Sequence, residues 1–249
     1  MLHIFSISIH DILPIQYPQQ RDLNQLSSEC KDRGMETNTG KSEAMYPLLP
    51  KNRPLVLPDL HLCGEPLPVV DQVKLLGVHL DCTLSWGCHV NAIIKKASKS
   101  IYILIRAKQF KFSQRTMCTL YIWYLRTVLE YAAVVWHAGL TQEQHIALER
   151  VQKRCLRIIL GRQYTDYQTA LEALSMLSLR DRREQLTLRF ARSLLKSRDH
   201  RHLLPRTLRE GHGRATRHGN LLVPVMCRLE RYKRSAIPYM VKLLNEHVL

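Results

Sequence analysis

The chain has 249 residues, enough for one or two domains with a hydrophobic core, and its 45% apolar content is ordinary for a globular protein. Its net charge of +16 is unusual. Seven widely spaced cysteines without a C-x-x-C pair argue against a disulfide framework and a zinc ribbon, and they favour reduced thiols inside a cell, in the nucleus or cytoplasm. No apolar run approaches the ~20 residues of a membrane span, and no signal peptide is expected.

The positive charge is confined to one part of the chain. Residues 1–89 carry 7 basic and 10 acidic side chains, a net of −3, whereas residues 90–249 carry 30 and 11, a net of +19. A block this basic repels itself unless it meets an anionic partner, and nucleic acid or an anionic membrane is the usual partner. The alternative is that the basic side chains are only solvated and bind no anionic partner.

The first ninety residues predict one helix and several short strands. Residues 19–33 place leucines at helical spacing, and Gly34 is a typical stop signal. Six prolines between positions 47 and 68 exclude helix there. Short strands are predicted within 41–46, 55–63 and 67–80, with a turn at Cys63-Gly64.

After Ser85 the apolar period changes from two residues to 3.6, which predicts a series of amphipathic helices. One of them begins with a capping box, Thr141 with Gln144, and ends at Gly161. Five further helices are predicted. One carries the apolar stripe Val90–Ile105, the second runs from Ser113 to about Val135, the third spans about 166–175, the fourth runs from Ser178 to about Leu194, and the fifth begins near Pro238.

Residues 199–224 are rich in Gly, His and Arg, which indicates a basic loop that becomes ordered on binding. Four histidines in it could suggest a zinc site. Tetrahedral zinc usually needs cysteines at fixed spacing, and Cys227 stands alone nearby, so no metal site is predicted. The four histidines are His200, His202, His212 and His218.

The order of several sequence blocks points to a known family. The block DRGMETNTGKSEAM, with Asn38, Lys41 and Ser42 on matching positions, precedes LGVHLDCTLSWGCH. Further on come LEYA, LERVQKRCLRIILG and RYKRSAIPYMVKLLN. Over residues 19–249 this order resembles the C-terminal part, the end of the palm plus the thumb, of the reverse transcriptases of non-LTR (LINE-type, jockey-like) retrotransposons.

The resemblance implies an α+β fold, in which a small residual palm β-hairpin sheet precedes a larger, basic, all-α thumb-like domain. The first segment would be unassigned and non-homologous. The implied segments are 1–18 without assignment, 19–85 as the palm piece, 86–198 as the helical thumb-like domain, 199–224 as the basic loop and 225–249 as a C-terminal helical segment.

In that family the thumb is basic because it holds the sugar-phosphate backbone of the primer–template duplex. The implied function is therefore sequence-independent binding of RNA, DNA or an RNA–DNA hybrid, with an intact reverse transcriptase in trans as a further possible partner and no membrane. The expected backbone contacts are Lys95, Lys96, Lys99, Arg150, Lys153, Arg154, Arg157, Arg180, Arg182, Arg183, Arg189 and Arg192.

The block LGVHLDCTLSWGCH joins palm to thumb in the family, so it implies a hinge made by Gly77, Asp81, Trp86 and His89. Trp86 is expected to pack, because its large apolar area needs burial. His89 is expected to make a hydrogen bond at the helix start, and Asp81 to cap the turn or the next helix.

The family's polymerase chemistry needs two Mg²⁺ ions held by carboxylates. The chain has no Asp-Asp dipeptide, and Asp11 is the only carboxylate before Gln19. The resemblance therefore implies no catalytic residues, no magnesium cofactor and no polymerase activity of this chain alone. Lys41 matches a lysine near the incoming nucleotide in the family, and it is expected to be a relic or a plain surface lysine.

An enzyme of another class is an alternative. His79 and Asp81 match the first half of the H-x-D…H triad of non-haem iron oxygenases. The LGV-x-LD…W-x-x-H pattern also resembles an N-terminal segment assigned to an AlkB-homologue family of tRNA-modifying oxygenases and methyltransferases. That segment is not the family's catalytic core, and the chain lacks a glycine-rich methyl-donor motif, so nucleic-acid binding is favoured.

Two non-enzymatic alternatives stay open. Basic amphipathic helices can lie on anionic lipid, but here the stripes include the core-like aromatics Tyr121, Tyr124 and Phe190, so the helices are expected to pack against one another. The chain could also be a remnant of a decayed element with no selected function.

The palm piece is expected to be the less stable part, because it lacks the partner strands of a complete sheet. Hydrogen exchange followed by mass spectrometry should show weaker amide protection in residues 19–85 than in the helices. Equally strong protection throughout 19–85 would contradict this.

Overall fold

The computed structural model describes residues 19–46, 59–212 and 219–247. These residues form two compact units: the first contains the described residues up to Val73 together with Asp81–Leu84, and the second contains Lys74–Leu80 and the described residues from Ser85 onward. The predicted segment 1–18 and positions 55–58 of the strand predicted within 55–63 fall outside the described residues.

The first unit is a helix with a small sheet. Helix α1 spans Gln19–Asp32, and Gly34 follows it with a φ of +67°, so the predicted helix and its stop are confirmed. Strands β1 (His61–Leu62) and β2 (Glu65–Pro66) form an antiparallel pair. The Gln20 side chain joins α1 to β1, because it donates to the His61 carbonyl and accepts from the His61 amide, both at 2.8 Å.

The turn between β1 and β2 lies at Cys63-Gly64, as predicted, with φ values of +54° and +86°. Two positive φ values are the requirement of a tight I′ hairpin, for which glycine is favoured at the second place. The Cys63 thiol is exposed, and its sulfur lies 3.0 Å from the Ser27 hydroxyl and 2.9 Å from the Thr37 hydroxyl. These hydrogen bonds lower the pKa of Cys63 below its usual value.

A second hairpin replaces the single strand predicted within 67–80. Strand β3 spans Gln72–Leu75 and β4 spans Val78–Asp81, with a turn at Leu76-Gly77 whose φ values are +47° and +86°. The Tyr131 hydroxyl donates to the Leu76 carbonyl at 2.7 Å. A Cβ placed on Gly77 would lie 3.2 Å from the Tyr131 ring, so the glycine allows both the turn and this close contact.

The second unit contains the remaining described helices, so the expected α+β arrangement of small sheets followed by a larger helical domain is confirmed. A π-helical segment, Tyr121–Arg126, joins α3 to α4. The helices are α2 Gly87–Gln109, α3 Gln114–Leu120, α4 Thr127–Glu130, α5 Ala133–Trp136, α6 Gln142–Leu160, α7 Tyr167–Ala173, α8 Leu179–Lys196, α9 Leu208–His212, α10 Glu230–Lys233 and α11 Ala236–Glu246.

Local sequence signals set several helix starts. Ser113 and Ser178 accept hydrogen bonds from backbone amides three residues later, as N-caps do. Thr141 and Gln144 make both halves of the predicted capping box. Gly161, with a φ of +58°, ends α6 as predicted.

The helix predicted from Ser113 to Val135 is interrupted, which corrects that prediction. Tyr131 leaves the helical conformation, and Ala132 adopts a φ of +50°. The fully buried indole of Trp136 then donates to the freed Tyr131 carbonyl at 2.9 Å. A buried indole N–H needs an acceptor, and the break supplies one.

The helices of the second unit enclose two apolar clusters. Helix α2 packs along α6, and the larger cluster lies between α2, the α3–α4 region, α6, α7 and the start of α8. The smaller cluster lies between the second half of α8 and α11. Tyr121 is fully buried as expected, but Tyr124 and Phe190 are 56% and 44% exposed, so they are not core residues.

The predicted loop 199–224 is structured in its described part. It contains a 3₁₀ turn at Arg201–Leu203, helix α9 and a bridge between Thr207 and Leu222. Leu204 and Leu222 are buried in the smaller cluster. The burial of these two apolar residues explains why the segment is structured although its composition predicted a loop. Positions 213–218, with His218, lie outside the described residues.

In the described ranges, no helix combines the length and the apolar character needed to cross a bilayer.

Replacing Gly77 by Ala is expected to destabilise the protein by about 1–2 kcal/mol, because an L-residue in the left-handed region carries that cost and its Cβ would crowd the Tyr131 ring. Urea unfolding followed by circular dichroism would measure the change. In a Tyr131→Ala background the cost should be smaller. An equal cost in both backgrounds would show that the ring does not matter.

Candidate nucleic-acid interface

Helix α6 presents one basic face to solvent. Arg150, Lys153, Arg154 and Arg157 follow the i, i+3, i+4, i+7 spacing of a single helical face. The three arginines are exposed, and within the described part of the chain none of the four makes an ion pair. This face can therefore meet phosphate groups without first breaking a salt bridge.

Two of these cations are oriented by tyrosines of the same unit. The Lys153 ammonium lies 4.8 Å from the centre of the Tyr167 ring, and the Arg157 guanidinium lies 5.1 Å from that of Tyr164. Both tyrosines pack against the larger apolar cluster. Cation–π contacts of this kind restrain a long side chain while its charge stays available to a ligand.

The predicted cations of α8 do not form one face. Arg189 and Arg192 line an open groove of about 460 Å³ together with Lys196, which sequence reasoning missed. Arg180 is exposed but lies nine residues before Arg189, about 180° away around the helix. Arg182 is half-buried and donates from Nε to Glu130 Oε1 at 3.1 Å, so an internal carboxylate already holds its charge.

Arg183 is fully buried, which corrects its prediction as a phosphate contact. Its guanidinium lies 5.6 Å from the Trp136 ring centre. It donates from Nε to His137 Nδ1 and from an Nη to His145 Nδ1, both at 3.4 Å. Burial lowers its pKa to about 10, so it stays charged at neutral pH but cannot reach a nucleic acid.

The two histidines that accept from Arg183 are held neutral. Burial, and then the nearby Arg183 charge, lower the pKa of His137 to about 3 and that of His145 to about 4. A neutral ring nitrogen can accept the guanidinium hydrogen bond, whereas a protonated ring would repel it.

Glu149 connects the basic helix α6 to the start of α8. One of its carboxylate oxygens accepts from the Arg180 amide at 2.8 Å, and the other accepts from the Leu179 amide at 3.3 Å and from the Tyr167 hydroxyl. A carboxylate at a helix start is favourable because the amides there lack helical partners. The two helices that carry most of the predicted contacts are thus joined by polar bonds.

Helix α2 adds a third basic surface. Lys95, Lys96 and Lys99 are exposed as predicted, and the 23-residue helix contains no acidic residue. The exposed Arg106 was missed, although its spacing from Lys95 and Lys99 places it on their face.

The residues predicted as a hinge have local packing roles. Asp81 Oδ1 accepts from the Thr83 amide at 2.9 Å, so Asp81 caps the turn as expected. Trp86 packs against the larger cluster, and a Cβ on Gly139 would lie 2.4 Å from its indole nitrogen. His89, near the start of α2, accepts from the His79 amide at 3.3 Å.

Lys41 is exposed at the end of the 3₁₀ turn Thr39–Lys41. No group of three or more His, Cys, Asp or Glu side chains among the described residues could hold a metal ion.

The chain matches no protein-family model, no curated protein and no solved structure. The three basic surfaces on α2, α6 and α8 are therefore the features that indicate a function. The resemblance to retrotransposon reverse transcriptases stays a prediction from the sequence blocks.

The free energy of unfolding is expected to fall as the pH drops below about 6.5. Burial depresses the pKa of His89 to about 4, as it does for His145, and that of His137 to about 3, whereas an unfolded histidine titrates near 6.5. Between these values the unfolded chain binds more protons, so each histidine lowers stability by up to about 1.4 kcal/mol per pH unit. Urea unfolding at a series of pH values would measure this.

A His145→Gln variant provides the matched test. Glutamine still offers Arg183 an acceptor oxygen but does not titrate, so the fall between pH 6.5 and 4 should become shallower. His202→Gln, at an exposed position, should leave the slope unchanged. If stability fell with pH at the same rate in the unmodified protein and both variants, the pH dependence could not be assigned to His145.

Proposed function

We propose that the helical unit binds RNA, DNA or an RNA–DNA hybrid through the sugar-phosphate backbone, without regard to sequence. The observation that carries the proposal is the face of α6, where Arg150, Arg154 and Arg157 are exposed at one-face spacing with no ion pair among the described residues. Phosphates are the ligands that such rows of guanidinium groups meet in nucleic-acid complexes.

The charge distribution supports the same conclusion. Residues 90–249 have a net charge of +19, from 30 basic and 11 acidic side chains. If the basic side chains were only solvated, acidic and basic side chains could be mixed over the surface. The α6 face, the α8 groove with Arg189, Arg192 and Lys196, and the acid-free helix α2 instead provide three separate basic surfaces. Such surfaces attract a polyanion over a distance and accelerate its association.

The sequence blocks that resemble non-LTR reverse transcriptases support a more specific proposal. The chain would act as a thumb-like backbone binder in the nucleus or cytoplasm, alone or beside an intact reverse transcriptase. Lys41 has no role in this proposal, because its exposed position in the first unit is that of an ordinary surface lysine.

Replacing Arg150, Arg154 and Arg157 by Ala together is expected to weaken binding to unrelated sequences alike. Each lost phosphate contact should reduce the slope of log affinity against log salt by about 0.9 on a duplex. Fluorescence anisotropy with an RNA–DNA hybrid, at several salt concentrations and with two unrelated sequences, would measure both effects.

A variant with Arg231, Lys233 and Arg234 replaced by Ala is the control. It removes the same formal charge from α10 and its end, where Glu230 pairs with two of these side chains, and it should reduce the salt slope much less. Equal effects of the two variants would indicate a response to net charge alone. Absence of binding by the unmodified protein at low salt would refute the proposal.

A further inference from the structure

One face of α2 combines cations with exposed aromatic rings. Four residues of α2 (Lys95, Lys99, Tyr102 and Arg106) and Phe110, which directly follows the helix, are spaced four, three, four and four residues apart. This spacing aligns them along a single stripe. Every one of the five is exposed. We call this stripe the α2 ridge.

The aromatic part of the α2 ridge is already organised. Tyr102 and Phe110 are 62% and 65% exposed. The Arg106 guanidinium lies between them, 5.9 Å from the first ring centre and 5.2 Å from the second. It also donates to Gln109 Oε1 at 3.0 Å, which restrains its orientation.

This arrangement differs from the other cation–π contacts of the molecule. Beside Lys153 and Arg157 the tyrosine rings are half-buried against the larger apolar cluster, so they offer little ring surface to a ligand. On the α2 ridge the rings and the guanidinium all face solvent. A single exposed aromatic residue is ordinary, but two that flank an arginine on an acid-free helix form a continuous planar and cationic surface.

We propose that the α2 ridge binds single-stranded RNA or DNA, whose unpaired bases stack on Tyr102 and Phe110 while Lys95, Lys99 and Arg106 contact phosphates. Stacking on aromatic and guanidinium planes is sequence-tolerant, because every base has a π-face. A duplex hides those faces between its own base pairs, so the ridge distinguishes unpaired from paired nucleic acid. Tyr102 and Phe110 lie about 12 Å apart along the helix axis, enough to engage separate nucleotides. The inference rests on the proposed nucleic-acid binding and adds the strand state of the ligand.

The test compares a labelled oligothymidylate with a blunt-ended duplex of the same length by fluorescence anisotropy. A Tyr102→Ala/Phe110→Ala variant should bind the single strand about tenfold more weakly or worse, and the duplex within about twofold of the unmodified protein. A Tyr102→Phe/Phe110→Tyr variant keeps both rings and should restore single-strand binding. Circular dichroism should be unchanged, since all these side chains are exposed.

The matched control removes two other exposed aromatic residues, Trp123 and Tyr124, which are 69% and 56% exposed. The Trp123→Ala/Tyr124→Ala variant should bind both probes as the unmodified protein does. The inference alone is overturned if the Tyr102→Ala/Phe110→Ala variant keeps its full affinity for the single strand. It is also overturned if the variant loses as much affinity for the duplex as for the single strand. If the unmodified protein binds neither probe at low salt, the proposed function fails and the inference fails with it.

Discussion

The architecture of the helical unit depends on a cation buried without a carboxylate beside it. Arg183 makes no ion pair among the described residues, and its charge is balanced instead by the Trp136 ring face, by the neutral acceptors His137 and His145, and over a longer distance by Glu149. A desolvated charge is costly unless its surroundings are arranged around it. Helix α5, the following turn, α6 and α8 must therefore meet at this point in one register.

That register determines which sides of α6 and α8 face solvent. On α8, Arg183, Thr187, Ala191 and Leu194 form the inward face. The exposed cations Arg180, Arg189 and Arg192 lie elsewhere on the helix. The same division operates on α2, where Val90, Ile93, Ala97, Ile101 and Leu104 are buried. Chemically similar residues thus have different roles, since Arg183 organises the core while Arg189 and Arg192 remain exposed to an anionic ligand.

The features predictable from sequence were those set by neighbours along the chain. The capping box at Thr141, the cap at Ser178 and the stop at Gly161 depend only on local backbone groups, and each was found where expected. The burial of Arg183 was missed because an arginine among arginines has no local signature of a core position. The break at Ala132 was missed because it depends on the burial of the Trp136 indole, which the sequence alone does not reveal. In the candidate interface the exposure of the α6 arginines was predictable from helical periodicity. The pairing of Arg182 with Glu130 was not, because the two residues are brought together only by the packing of α8 against α4.

The environments of the cysteines make chemical labelling of this protein selective. Cys63 is exposed in a hairpin turn, and two hydroxyl hydrogen bonds favour its thiolate, whereas Cys155 is buried in the helical core and burial raises its pKa to about 12. Because the thiolate is the form that attacks an alkylating reagent, a maleimide dye supplied in limiting amount at mildly acidic pH will attach first to Cys63. A fluorophore can thus be placed on the smaller unit while all three basic surfaces stay unmodified.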